Sequence, residues 1–161
     1  MSRKPSPRAT ADRKERASPT VQEWDLPAIG LRGLSAPDRQ RFWRGFEERR
    51  RGAPYEKGNG FSRWRPVPGV ELYIALYITN RSVGLFVRSF RGLPLSSTRS
   101  FLAPCKSELE TALCARLDDE VPLLRRLPLA ATDVSTWPGA WEWLRDNEED
   151  FLATLTSVLA K

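Results

Sequence analysis

Two apolar runs separated by three polar residues set the first constraint on the fold. Val70 to Thr79 alternates Leu72, Ile74, Leu76 and Ile78 with Tyr73, Ala75 and Tyr77. After Asn80-Arg81-Ser82, a second run from Val83 to Phe90 sets Val83, Leu85 and Val87 against Phe86. A period of two residues is that of a β-strand, and two such runs joined by a short polar turn predict a β-hairpin. Large apolar side chains stand on both faces of the first strand, so both faces need cover, at least in part.

Helical periodicity supplies that cover. The segment from Pro138 to Leu159 sets Ala140, Trp141, Leu144, Phe151, Leu152, Leu155, Val158 and Leu159 on one stripe with Trp137, a spacing that predicts an amphipathic helix. Glu148 falls near the centre of this stripe and Trp143 on its polar side. An unpaired buried carboxylate is costly, so Glu148 is expected to meet an arginine of the sheet or to sit where the stripe leaves the core. A catalytic role is the competing reading for Glu148. Trp143 is expected either to pack under the preceding arm or to mark a protein-partner site.

An earlier helix is predicted from Pro37 to Arg51, with Ser35 as N-cap, Asp38 three residues later, and Gly52, Pro54 and Gly58 ending it. Phe42, Trp43 and Phe46 share one side, and Arg49, Arg50 and Arg51 crowd the end favoured by cations. Ser96 to Leu102 reads as a third strand ended by Pro104. Ser107-x-x-Glu110 reads as a capping box opening a helix that carries Leu109, Ala112, Leu113 and Leu117 and ends near Asp118. Pro122 and Pro128 bracket Leu123 to Leu127, an edge strand or extended segment, because proline removes ladder donors.

At 161 residues the chain fits one domain. Residues 1–20 hold six basic groups and no large apolar residue after Met1, so they read as a disordered basic tail. Asp12, Glu15 and the prolines argue against a transit peptide. The remaining 21–161 are expected to form a single α+β domain, a mostly antiparallel sheet packed against two or three helices, entered through an irregular arm from Val21 to Leu34. Residues 32–105 carry 14 basic and 5 acidic groups, whereas 106–161 carry 6 and 11. That asymmetry favours a polyanionic partner, whether nucleic acid or an acidic protein face.

Absences narrow the chemistry. With no histidine, Ser-His-Asp and Cys-His catalysis and the common His-containing zinc sites are excluded. There is no phosphate-binding GxxxxGK[ST] loop and no GxGxxG fingerprint. A restriction-type nuclease needs a Glu-x-Lys or Gln-x-Lys, yet the lysines of the expected domain, Lys57, Lys106 and Lys161, have Tyr55, Pro104 and Leu159 two residues before them. Asp118-Asp119-Glu120 reads as a solvated turn before it reads as a metal site. Cys105, beside Lys106 and a predicted helix start, has the setting of a low-pKa thiol, but without histidine it reads as a small residue packed at a corner. Cys114 reads as a helix residue near the core. It lies about 10 Å along the helix from Ser107, too far for a disulfide to Cys105, which needs a Cα separation of about 4.4–6.8 Å. No apolar run is long enough to span a membrane, residues 1–20 lack a secretory apolar stretch, and the cytoplasm is the expected compartment. No cofactor and no metal are expected.

The basic middle interleaves arginine with rings: Arg39, Arg41, Phe42, Trp43, Arg44 and Phe46, then Phe61, Arg63, Trp64 and Arg65, with Arg81, Arg88, Arg91 and Arg99 beyond. Guanidinium groups contact phosphates and rings stack on unpaired bases, so Arg39, Arg41, Arg44, Arg63, Trp64, Arg65, Arg81 and Arg88 form a candidate nucleic-acid surface. The alternative places the rings in the core and leaves the arginines solvated.

The order of Phe42-Trp43, the strand residues Val70-Glu71-Leu72-Tyr73-Ile74, and a final helix opening Trp137-Pro138 with Trp143-Leu144 and Phe151 resembles a bacterial domain family of unknown function. That family is found alone or at the C-terminus of restriction-endonuclease-like and defence-associated proteins, and the resemblance covers about residues 36–160. It implies no activity and no catalytic residue. The expected function is a non-enzymatic accessory module that binds nucleic acid. The alternative is a protein-interaction module of a bacterial defence or nuclease-associated system, using Trp143 and the acidic C-terminal third.

Overall fold

The computed structural model describes residues 34–57, 62–90, 92–119 and 121–160. The tail expected over 1–20, and the arm but for Leu34, lie outside them, as do Gly58, Phe61, Arg91 and Glu120. Its elements run α1 (Ala36–Glu48), β1 (Glu56–Lys57), β2 (Ser62–Pro66), β3 (Leu72–Ile78), β4 (Ser82–Ser89), α2 (Leu95–Leu102), α3 (Lys106–Leu113), β5 (Arg125–Pro128) and α4 (Trp137–Leu159). Short 3-10 turns stand at Ala103–Cys105 and Val134–Thr136. The architecture is α+β.

The five strands form one antiparallel sheet in the order β1-β2-β3-β4-β5, each beside its neighbours in sequence. The predicted hairpin is its centre: Leu72 pairs with Ser89 and Ile78 with Val83. The Thr79 side chain accepts hydrogen bonds from the Arg81 and Ser82 N–H groups, at 3.2 and 3.1 Å, and so closes the turn. Period-two alternation divides the apolar residues between two cores. Leu72, Ile74, Leu76, Ile78, Val83, Leu85 and Val87 join α1, α3 and α4 in the larger one. Trp64, Tyr73, Ala75, Tyr77 and Phe86 form the smaller one with Val121, Leu95 and Leu124.

β2 is absent from the sequence reading. Ser-Arg-Trp-Arg-Pro shows no apolar alternation, yet it pairs with β3 in a register that sets Arg63 opposite Leu76, Trp64 opposite Ala75 and Arg65 opposite Ile74. The alternation is there, but arginine takes the place of an apolar residue on the face toward the helices. At the other side of the sheet, as expected of a proline-flanked edge segment, Arg125 to Pro128 pair with β4 alone.

The predicted third strand is a helix. Leu95, Thr98 and Leu102 recur at helical spacing, and Thr98 and Leu102 are buried. Thr98 Oγ1 also accepts the Ser89 N–H at 2.8 Å, satisfying the end of β4 without another strand. Pro104 does not end an element, because the chain passes from α2 through the 3-10 turn into α3. This continuity removes the Ser107 cap: α3 starts at Lys106 with Cys105 at its N-cap and no side-chain cap bond. It ends at Leu113, not near Asp118, and Cys114 follows it in the left-handed conformation (φ 50°). Cys114 is exposed, not near the core. Ala112 is exposed as well. Glu110 turns the other way and accepts the Leu117 N–H at 2.8 Å.

α1 begins as expected, with the Ser35 hydroxyl accepting the Asp38 N–H, but it stops at Glu48 and leaves Arg49 to Arg51 in the turn before Gly52 (φ +86°). Its inner residues Phe42, Trp43 and Phe46 are fully buried. Gly45 lets α4 approach: a Cβ at this position would stand 2.5 Å from Trp141 Cζ2, and the Trp141 indole N–H donates to the Phe42 carbonyl at 3.0 Å. On the sheet, Gly84 plays the same part for Tyr77, whose Oη would lie 2.6 Å from an added Cβ. Burial pushes the Tyr77 phenol up to about 12.

Candidate functional site

Glu148 enters the middle of the α4 apolar stripe because its helical position faces the sheet, and it is fully buried. Three side chains from outside α4 converge on it. Arg65 of β2 pairs with Oε2, Arg50 of the turn after α1 reaches the same oxygen at 3.3 Å, and the Tyr55 hydroxyl donates to Oε1. Arg50 also donates to Tyr55 Oη at 3.1 Å and to exposed Glu149 at 2.9 Å. Burial raises the Tyr55 phenol far above its usual range, and the Glu148 carboxylate adds to that effect. For Arg50, burial opposes the charge, but the Tyr55 hydrogen bond and Glu148 outweigh it and hold the guanidinium above its ordinary value.

The expected pairing of Glu148 with a sheet arginine is what the structure contains. Arg50 and Tyr55 complete it. Tyr55 carries no signal in the sequence, since it lies in a loop and meets Glu148 only across 93 positions. The cluster fastens α4 to the sheet and to the α1 turn. Glu148 offers no exposed surface to a substrate. A cleft of about 440 Å³ opens above Arg50 and Arg65, walled by Leu152, Ala153, Thr156 and Ser157.

The eight predicted nucleic-acid residues do not share one surface. Arg63 and Arg65 point to the helix side of the sheet. Arg63 is buried, bonded to Glu47 at 3.3 Å and stacked over Trp43. Trp64 and Arg88 are buried on the opposite side, with the Arg88 guanidinium 4.5 Å from the Trp64 ring. Arg39 is half-buried and donates to the Leu34 carbonyl. Arg81 is exposed on the hairpin turn. Arg41 and Arg44 are both exposed on α1. Arg41 is held by Asp38 at 3.0 Å with its guanidinium 5.4 Å from the Trp137 ring. Trp143, the predicted partner contact, is half-buried and packs against the main core.

Around the outer face of α1 lies an open cleft of about 520 Å³ lined by Gln40, Arg44, Glu47, Glu48, Arg51, Lys57 and Arg63. Arg44 and Arg51 are exposed, and neither has a hydrogen-bond or ion-pair partner among the described residues. The sequence marks Arg51 only as a helix-end cation. The helix end falls three residues earlier and delivers it to this cleft. A third cleft, of about 370 Å³, places Arg49 and Arg145 beside Trp141, with the Arg49 guanidinium 4.2 Å from that ring.

Among the described residues, no group of three or more acidic, cysteine or histidine side chains is gathered as metal ligands would be. No helix there is long and apolar enough to cross a membrane. Cys105 and Cys114 are free thiols. Asp118 is paired with Lys106 at 2.5 Å. No family model, curated protein or solved structure matches the chain.

Proposed function

We propose that the chain is a non-enzymatic accessory module that binds nucleic acid through the outer face of α1. The observation that carries this reading is the cleft in which the exposed cations Arg44, Arg51 and Lys57 stand with Glu47 and Glu48, Glu47 being already bonded to the buried Arg63. An excess of positive surface charge, with the guanidinium groups of Arg44 and Arg51 unpaired among the described residues, raises encounter rates with a polyanion and supplies phosphate contacts. The site differs from the one expected from sequence. Of the expected residues Arg44 and the buried Arg63 line it, Arg51 and Lys57 join it, and Trp64, Arg65 and Arg88 serve the fold. The test is fluorescence anisotropy of labelled nucleic acid with the full chain and with Arg44→Glu/Arg51→Glu across a salt series. Binding that weakens at least tenfold in the double variant supports the reading, and equal binding by both chains sinks it.

The alternative, a protein-interaction module of a bacterial defence or nuclease-associated system, is favoured by a different observation. Phe90, Leu93 and Phe101 are large apolar side chains 40–52% exposed along the segment from β4 through α2, and exposed apolar surface of this kind marks protein contacts. Phe101→Asp should abolish such a contact and leave nucleic-acid binding untouched. Two free thiols suit the reducing cytoplasm, the compartment we assign on either reading.

A further inference from the structure

The cleft above Arg50 and Arg65 leaves hydrogen-bond donors unused. One wall is a single side of α4, where Glu149, Leu152, Ala153, Thr156 and Ser157 recur at three- and four-residue spacing. The floor is the outer edge of the Glu148 cluster. Arg50 is largely engaged there, donating to Tyr55, Glu148 and Glu149. Arg65 donates only from Nη1, to Glu148. A guanidinium carries five N–H donors in a fixed fork, and the others of Arg65 have no partner among the described residues. Arg65 is 16% exposed and lines the cleft. Its fork is held in place, with Glu148 at one end and the Tyr55 ring 5.9 Å from the guanidinium carbon. Thr156 and Ser157 add two exposed residues whose hydroxyls have no hydrogen-bond partner among the described residues.

We infer that this cleft binds a small monocarboxylic acid, with its carboxylate on the unused edge of the Arg65 fork and its carbon body against Leu152 and Ala153. The inference does not rest on the nucleic-acid reading, since this cleft and the α1 cleft share no described lining residue. Shape favours the head group: a planar carboxylate matches a guanidinium fork with two parallel hydrogen bonds. Charge favours a single negative group. Arg50 and Arg65 stand against Glu148 and Glu149, so these four sum to zero, and a dianion would bring a second charge toward the exposed Glu149 carboxylate. Size and wall chemistry favour a short apolar body, because about 440 Å³ lies within the range of small-molecule sites and Leu152 and Ala153 present only carbon. Because the fork is already ordered by Glu148 and Tyr55, little of its freedom remains to be lost on binding.

The experiment titrates the full chain with hexanoate, with hexanamide as its uncharged counterpart, and with dimethyl phosphate and inorganic phosphate as anions of other shape and charge. Binding is followed by NMR at the Arg65 side-chain Nε–H and at the Thr156 and Ser157 backbone amides, which a general salt effect would not move selectively. Hexanoate should saturate these shifts with a Kd of about 1 mM or tighter. Hexanamide should bind at least tenfold weaker, and both phosphates weaker than hexanoate. Ala153→Phe sets a ring at the wall of the cleft from an exposed helix position, and should weaken hexanoate at least tenfold while thermal unfolding stays that of the parent. Arg65→Lys keeps a cation beside Glu148 but removes the fork, and should weaken hexanoate to a similar extent. Absence of a saturable shift with hexanoate, equal binding of hexanamide, tighter binding of either phosphate, or undiminished binding by both variants overturns the inference. Nucleic-acid binding by the Ala153→Phe chain should equal that of the parent, so failure at this cleft and failure at the α1 face are read separately.

Discussion

The arginines beneath α1 and those on its outer side belong to one basic stretch of the chain and do different work. Arg65 and Arg50 are 16% and 12% exposed and share the carboxylate of fully buried Glu148. Arg63 lies over Trp43 and bonds to Glu47. Arg44 and Arg51, on the outer side of the same helix and its turn, face solvent without an ion-pair partner among the described residues. Inside, a guanidinium is held by a compensating charge and an aromatic face, so its removal strands another group out of water. Outside, nothing in the fold depends on it, and its field is directed at whatever approaches the surface. A high arginine count therefore says little about binding until burial has divided it.

The largest effect that would sharpen this contrast is expected at Glu148. Its replacement by Ala leaves Arg50 and Arg65 facing each other with Tyr55 Oη and no carboxylate between them. Removing one partner of a buried ionic group typically costs about 3–5 kcal/mol. Urea denaturation of Glu148→Ala should show that loss, and an unchanged midpoint would mean that the cluster is dispensable to the fold. Next comes Gly45→Ala. Its Cβ would meet the Trp141 ring at 2.5–2.7 Å, and overpacking of this kind costs about 1–3 kcal/mol. Trp141 emission should shift as the indole is pushed outward. A wild-type midpoint with unaltered emission would show that α1 and α4 can slide apart freely.

How far the sequence carries these features depends on whether a residue's partner is local. The hairpin, α1 and α4 are written in short-range period and capping, and each is legible, as is the need for an arginine at Glu148. β2 is not, because arginines occupy its inward positions and hide the alternation. Their stability there comes from Glu148 and Glu47, 83 and 16 positions away. α2 is mistaken for a strand because Thr98 and Phe101 favour one locally, while Thr98 meets Ser89 and Leu102 enters the core in the helical form. The candidate surface is half legible for the same reason. The sequence shows which residues are cationic, and only tertiary burial shows that Arg63, Arg65 and Arg88 face inward.

On the outer side the expected effects are small. Arg44→Ala and Arg51→Ala should each leave stability within about 0.5 kcal/mol of the parent, as is usual for exposed positions without fold contacts. A loss comparable to that of Glu148→Ala would break the division into fold-bearing and surface arginines, and would move Arg44 or Arg51 to the inner group. Denaturation in urea at low salt is the measurement, because any weak surface interaction is least screened there.

The smallest effect tests what an exposed ion pair of this protein contributes. Lys106 and Asp118 meet at 2.5 Å on the surface. The hydrogen bond from Lys106, and then its charge, hold the Asp118 carboxyl below its ordinary value, and Asp118 in turn raises Lys106. A carboxyl with a lowered value in the folded state adds stability above its unfolded value, about 3.9, and that contribution is lost as pH falls through the folded value. The acid limb of the stability curve should therefore change slightly in Lys106→Ala, with the Asp118 carboxyl titration, followed by NMR, moving back up toward its ordinary range. In about 1 M salt, where the screening length is about 3 Å, the parent should move the same way, whereas the deficit of Glu148→Ala should persist because water and ions do not reach that carboxylate. An Asp118 titration unmoved in Lys106→Ala would assign its depression to the other cations near it, Arg116 and Arg99. Salt is thus the common discriminator: it weakens what the exposed charges do, including any hold on a phosphate backbone, and leaves the buried arginines in place.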